Sequence, residues 1–128
     1  MRFCHASTRS DTEIVLVDSP VERYRDAFAD TDEPTVVLGH THMPFDRLAD
    51  RRRFINPGSV GMPYGSRSAF WALLGPDITL RRTEYDANAA AETFRLPHRI
   101  IRDWPNSSKR TCWRCPQTPS VGRFLAVG

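Results

Sequence analysis

The sequence lacks long hydrophobic runs and contains little cysteine. Its longest uninterrupted apolar stretch, residues 69–74, has six residues, whereas a membrane-spanning helix needs roughly 20. The first residues also lack the apolar segment of a secretory signal. With only 3 cysteines in 128 residues, the disulfide framework of a small secreted domain is excluded. We therefore expect a protein without membrane partners that works in a reducing cytoplasm.

Lysine is nearly absent, since 17 of the 18 basic residues are arginine. This pattern is more typical of a coding bias than of a selected phosphate-binding surface. Residues 97–128 carry six basic residues and one acidic residue, so the net charge of +3 comes from this tail, and residues 1–96 are mildly acidic. Nucleic acid is therefore not an expected partner, although a nucleic-acid-binding module that uses the basic tail stays open as an alternative.

Length and composition are typical of one globular domain, with 40% hydrophobic and 26% charged residues. A helix is predicted from Ser19-Pro20-Val21-Glu22, where the Ser19 hydroxyl would cap the first turn and Glu22 would reach back. Its apolar face would hold Val21, Tyr24 and Phe28. Thr35–Leu38 has the pattern of a short buried strand.

Two hairpins and a second helix are predicted further along the chain. The strands of the first, 45–48 and 53–55, flank Asp50-Arg51, and those of the second, 69–74 and 78–85, flank a Gly-Pro-Asp turn. Asp86 is a suitable cap for a helix over 87–95. After Pro97 the periodicity disappears, so we divide the chain into an α/β portion, residues 1–96, and a basic, irregular tail, residues 97–128.

Two histidines follow the strand at 35–38, in Gly39-His40-Thr41-His42. Imidazole is a common ligand for divalent transition metals, and α/β sheets present ligands at strand ends. On an extended backbone, residues two apart point the same way, so both rings would reach one region. The same pattern also fits two ordinary loop histidines with hydrogen-bonded rings.

A second motif lies downstream, in the loop 56–63 (Asn-Pro-Gly-Ser-Val-Gly-Met-Pro). The order of His5, the Gly-His-Thr-His motif and this loop resembles the C-terminal half of the calcineurin-like metallophosphoesterases, and in particular their small bacterial phosphodiesterase branch. The resemblance covers about residues 3–86. It implies a partial four-layer α/β/β/α sandwich, with two mixed sheets packed between helices.

The resemblance also implies a set of metal ligands. His5 and His40 would bind one divalent ion and His42 a second, the ions being Mn, Fe, Zn or Ni. The loop that borders the active site would contain Gly39, Asn56, Gly58 and Ser59, with Asn56 and Ser59 in a structural role more than in direct chemistry. No catalytic residue is assigned within the chain.

The sequence departs from the family pattern at its start. The family's Asp-x-His, Gly-Asp and Gly-Asn-His-Asp motifs, which supply the bridging carboxylate, an Asn ligand and the histidine that assists the leaving group, do not occur before His5. We expect a truncated metal-dependent phosphoesterase that lacks its N-terminal half. It would act on a phosphoester only if self-association or another chain completed the site. A non-catalytic interaction or scaffold protein of the same fold is the main alternative.

Two further clusters have competing interpretations. Cys112 and Cys115 form a C-x-x-C pair that fits half of a zinc site or a redox pair, but two unpaired thiols are the favoured interpretation. The run of arginines from Arg51 to Arg53 fits phosphate contacts, but a charged hairpin turn in solvent is favoured.

Overall fold

The computed structural model describes residues 1–95, 112–114 and 123–126, and the side chains of residues 1–93. These residues form eight strands and two helices in the following order: β1 (Arg2–Cys4), α1 (Val21–Ala27), β2 (Thr35–Val37), β3 (Phe45–Ala49), β4 (Arg52–Asn56), β5 (Ser68–Leu74), β6 (Ile78–Glu84), α2 (Ala87–Arg95), β7 (Cys112–Arg114) and β8 (Arg123–Ala126). The predicted α/β class and both predicted hairpins are confirmed. Apart from β7 and β8, the predicted tail lies outside the described residues.

The strands form two sheets. The first has the order β3-β4-β2-β1-β7 and the second the order β6-β5-β8. Within the first sheet β1, β2 and β4 are parallel, whereas β3 and β7 are antiparallel to their neighbours. Parallel strands end at the same edge of a sheet, so the loops that follow β1, β2 and β4 meet there. These loops carry His5, the Gly39–His42 segment and the 57–63 segment.

The core lies between α1 and the first sheet. The rings of Tyr24 in α1 and of Phe28, the residue directly after α1, lie 4.7 and 4.9 Å from the ring of Phe54 on β4, and all three side chains are fully buried. Burying one such side chain contributes about 1.5–3 kcal/mol. Val36 on β2 and Leu38 directly after it belong to the same buried cluster as Tyr24 and Phe28, so the segment that leads to the histidines is anchored in this core.

The predicted cap of α1 is wrong. The helix begins at Val21 with Pro20 at the N-cap position and without a side-chain cap. The Ser19 hydroxyl instead accepts a hydrogen bond from the main-chain N–H of Leu16 at 2.9 Å. Because Ser19 lies one position before the cap, its hydroxyl closes the preceding turn. The predicted cap of α2 is confirmed, since the Asp86 carboxylate accepts from the N–H groups of Asn88 and Ala89 at 3.0 Å.

The β3–β4 hairpin turns at Asp50 and Arg51, which have φ angles of 48° and 62°, as a two-residue turn with left-handed residues requires. The interpretation of the arginine run as a solvated turn is wrong for Arg52. Its side chain is 13% exposed, and its guanidinium donates to the carbonyls of Phe28 and Thr31 at 2.8 and 2.9 Å. Arg52 therefore satisfies carbonyl groups where α1 ends, while Arg51 is exposed.

Within the described residues, no helix is long and apolar enough to cross a membrane. The Cys112–Cys115 pair lies outside the residues whose side chains are described, so its interpretation stays open.

Candidate metal centre

The candidate centre is built from the loops at the carboxyl ends of three parallel strands. His5 follows β1, and Gly39 lies two residues after β2. The N–H of Gly39 donates to the His5 carbonyl at 2.7 Å, so the main chains of the two loops are joined directly. The third loop begins at Asn56, the last residue of β4, which the parallel β2–β4 pairing brings beside Gly39.

The rings of His5 and His40 are in contact. His40 Nδ1 lies 3.2 Å from His5 Nε2, and the ring centroids are 5.1 Å apart at an interplanar angle of 64°. Two imidazole nitrogens that bind one ion at about 2.0–2.1 Å lie about 2.8–3.4 Å apart, for ligand angles between octahedral and tetrahedral. The observed distance therefore fits two ligands of a single ion. The same distance also fits a direct hydrogen bond between the rings, in the tautomer that places a proton on one of the facing nitrogens.

His42 has a different neighbour. Its Nδ1 lies 2.8 Å from the main-chain carbonyl of Met62. A carbonyl oxygen only accepts hydrogen bonds, so this contact favours the proton on Nδ1 and the lone pair on Nε2. Metal-binding histidines commonly donate from the other ring nitrogen to such a carbonyl, which fixes the tautomer and the ring orientation. In the neutral ring, this contact therefore leaves the Nε2 lone pair that a metal ligand needs.

The extended backbone predicted for the Gly-His-Thr-His motif is wrong. His40 and His42 have φ angles of 63° and 58°, in the left-handed region, so the argument that alternate side chains point together does not apply. The structure brings His5 and His40 together and places His42 against Met62. Among the described residues, no group of three or more His, Cys, Asp or Glu side chains is arranged to hold a metal ion. The assignment of all three histidines as ligands stays a prediction.

Asn56 joins two of the loops. Its side chain is fully buried, and Nδ2 donates to the Gly39 carbonyl at 2.8 Å and to the Thr41 hydroxyl at 3.1 Å. Its Oδ1 accepts from the N–H of Gly58 at 2.9 Å. All three partners lie in the two motifs that the sequence singles out. The predicted structural role of Asn56 is thus matched by specific contacts.

Gly58 and Ser59 shape the same loop. Gly58 has a φ of +83°, and a Cβ at this position would lie 2.6 Å from Cβ of Phe70 on β5. Only glycine fits this combination of a left-handed backbone and a close neighbour. Ser59 is fully buried, and its hydroxyl accepts from the N–H of Met62 at 2.9 Å. The loop therefore packs against the second sheet while it holds Met62 beside His42.

Thr41 and Met62 were not predicted from the sequence to belong to the site. Thr41 lies between two candidate ligands, so the histidines dominate the motif. Met62 contacts His42 through its main-chain carbonyl. Every residue has such a carbonyl, so the residue type gives no signal for this contact. The second motif, with two Gly and two Pro in the loop 56–63, was the available signal that the backbone path matters here.

Comparison with known proteins identifies the superfamily of the chain. Residues 3–76 match the calcineurin-like phosphoesterase superfamily domain. Because the match covers more than half of the 128 residues, the chain belongs to this superfamily, whose members are generally metal-dependent phosphoesterases.

A solved structure shows the same fold. The chain is similar to the hypothetical protein PH1004 from Pyrococcus horikoshii OT3, with a TM-score of 0.60 and 19% sequence identity. The similarity covers 73% of this chain and 40% of that protein, so the chain spans less than half of its length. At this identity the likeness establishes the fold alone. No curated protein matches the sequence.

Proposed function

We propose that this chain supplies the histidine ligands of a two-metal phosphoesterase site. His5 and His40 hold one divalent ion, and His42 contributes to the second. The main support is the 3.2 Å separation of His40 Nδ1 from His5 Nε2, which matches two ligands on one ion. The proton that Met62 favours on His42 Nδ1 leaves Nε2 for the other ion.

The chemistry of such a site is phosphoester hydrolysis, of phosphomonoesters or phosphodiesters. Two ions polarise an attacking hydroxide and neutralise charge on the leaving oxygen during in-line displacement. The histidines of this chain bind and orient the ions, and they need a bridging carboxylate beside them. Since the described residues bring no third His, Cys, Asp or Glu ligand to the His5–His40 pair, the remaining ligands in our proposal come from outside these residues, for example from a second copy of the chain or from another chain. Imidazole donors favour Zn or Ni over Mn and Fe.

Metal titration of the full chain tests this proposal. Zn or Ni added to the protein is expected to bind in competition with a chromophoric chelator. His5→Ala and His40→Ala each remove the same binding step, because both rings contact one ion. His42→Ala leaves that step in place. His98→Ala is the matched control, since it removes an imidazole that the proposal does not use. Equal binding by wild type and the His5→Ala variant would overturn the assignment.

Hydrolysis is tested separately, with bis-p-nitrophenyl phosphate in excess Mn. Without the other ligands, the purified chain is expected to be no faster than a variant that combines His40→Ala and His42→Ala. Metal-dependent turnover that this double substitution abolishes would show that the site is completed in the preparation. Light scattering on the same sample would then identify a second copy as the source.

A non-catalytic interaction protein of the same fold is the second candidate. It is supported by the absence, within the described residues, of a group of three metal ligands. This candidate predicts a folded protein without metal binding at His5 and His40, so the titration distinguishes the two functions.

A further inference from the structure

We infer that Asn56 and Thr41 position the His40 ring, so that metal affinity at the His5–His40 pair depends on their hydrogen bond. This inference rests on the proposed function, because it concerns the same pair of ligands. Neither residue touches the ion in this proposal, so both are positioning residues.

The backbone around His40 is strained. The N–H of Thr41 donates to the Gly39 carbonyl at 2.7 Å, which closes a three-residue turn with His40 at its centre. The central φ is 63°, and three-residue turns with a left-handed central residue are rare and strained. Such a conformation is energetically costly and persists only where surrounding contacts hold it.

The Asn56 amide supplies these contacts on both sides of His40. One N–H bonds to the Gly39 carbonyl before it, and the other bonds to the Thr41 hydroxyl after it. Because Asn56 is fully buried and its Oδ1 accepts from Gly58, the amide has little freedom to turn away. The strained turn is thus fixed to β4, the strand that ends at Asn56.

The same turn sets the position of His40 relative to His5. Gly39 donates its N–H to the His5 carbonyl at 2.7 Å. A shift of the turn therefore changes the position of Gly39 relative to His5, the residue that follows β1. The nitrogen that faces His5 is Nδ1 of His40, the ring nitrogen nearer the main chain. A change in the backbone at His40 therefore moves this atom directly and changes the separation of the two ligands.

A purely structural role for this hydrogen bond predicts lower stability alone, so the test measures metal affinity and ligand geometry. Thr41→Val removes the acceptor while the shape is kept, and Thr41→Ser restores the hydroxyl. Thr83→Val is the matched control, because the Thr83 hydroxyl also accepts from an N–H, that of the Trp71 indole at 3.0 Å, on the second sheet. Zn affinity is measured on the full chain by chelator competition, and the ligand geometry is followed by the visible spectrum of bound Co.

Thr41→Val is expected to weaken Zn binding at the His5–His40 pair about tenfold or more, as is usual when a group that orients a ligand is lost, and to alter the Co spectrum. Asn56→Ala is expected to do the same, and Thr41→Val carries the test if that variant fails to fold. Thr41→Ser and Thr83→Val keep wild-type affinity and spectrum.

Wild-type affinity in a folded Thr41→Val protein would overturn this inference alone, and so would an equal loss in Thr83→Val. A wild-type chain that binds no ion through His5 and His40 would instead overturn the proposed function, and the inference with it.

Discussion

The main-chain carbonyl of Met62 lies 2.8 Å from Nδ1 of His42 and favours the tautomer in which Nε2 carries the lone pair. Met62 is itself held by Ser59, whose buried hydroxyl accepts from the Met62 N–H. A chain of two hydrogen bonds thus connects a buried serine to the imidazole ring of a candidate ligand.

We predict that Ser59→Ala weakens metal binding at His42. The substitution frees the Met62 main chain, so the carbonyl no longer fixes the imidazole, and the loss of one orienting contact typically lowers metal affinity about 10–100-fold. The measurement is a Zn titration in a His5→Ala background, where binding at the His5–His40 pair is removed. Ser66→Ala, further along the connection between β4 and β5, is the control. Unchanged affinity in Ser59→Ala would contradict the orienting role of Met62.

We predict that Gly58→Ala is strongly destabilising and that Gly61→Ala is close to neutral. At Gly58 an added Cβ meets Phe70 at 2.6 Å on a backbone with φ of +83°, whereas nothing lies within 4 Å of a Cβ at Gly61. Two costs therefore add at Gly58 and not at Gly61. These are left-handed backbone strain of about 1–3 kcal/mol and overpacking of about 1–3 kcal/mol. Urea unfolding of the two variants measures the difference. Equal midpoints would show that the loop relaxes at no cost.

We predict that Arg52→Ala lowers stability and that Arg51→Ala does not. Arg52 donates to two carbonyls at the end of α1, Phe28 and Thr31, and its guanidinium lies 5.5 Å from the centroid of the Phe54 ring. Hydrogen bonds from a charged donor contribute about 1.5–3 kcal/mol each. In thermal or urea unfolding, Arg52→Ala is therefore expected to lose stability by at least the contribution of one such bond. Similar losses in both variants would assign the effect to net charge.

We predict a loss of stability on acidification that depends on Glu13. Hydrogen bonds from the Arg9 guanidinium, at 3.0 and 2.6 Å, lower the pKa of Glu13 below its ordinary value, and this outweighs the opposing effect of burial. A carboxyl with a lowered folded-state pKa stabilises the fold above its unfolded pKa, about 4.3, and loses this contribution as the pH falls through the folded pKa.

The measurement for Glu13 compares wild type with Glu13→Gln in unfolding experiments at neutral pH and at successively lower pH. Wild type is expected to be the more stable protein at neutral pH, with a difference that shrinks below about pH 4.3. A difference that stays constant over this range would contradict the prediction.

Local signals in the sequence predicted most of the regular structure. The β3–β4 hairpin follows from the alternation around Asp50 and Arg51, and the start of α2 follows from Asp86. These features depend on neighbouring residues, which a sequence shows directly. The histidines were found in the same way, because their residue type and position after a strand are both local properties.

Features that depend on distant partners could not be predicted. The left-handed backbone at His40 is held by Asn56, 17 residues from Gly39. The burial of Arg52 depends on Phe28, 24 residues away. In each case the local pattern favoured the ordinary conformation, an extended strand end or a solvated side chain. Contacts between separate elements of the fold decided the outcome.

Because strand β1 is short, an ion bound at the His5–His40 pair would also affect how firmly this strand is held. Only three residues, Arg2–Cys4, pair with β2 and β7, so the hydrogen bonds that hold this end of the chain are few. An ion bound to His5 and His40 cross-links positions that are 35 residues apart. A cross-link of this kind lowers the entropy of the unfolded chain, and an ion that binds only the folded state shifts the equilibrium towards it. Removal of the ion by a chelator would therefore loosen β1 first, and amide hydrogen exchange at Phe3 would report its loss before exchange in α1 changes.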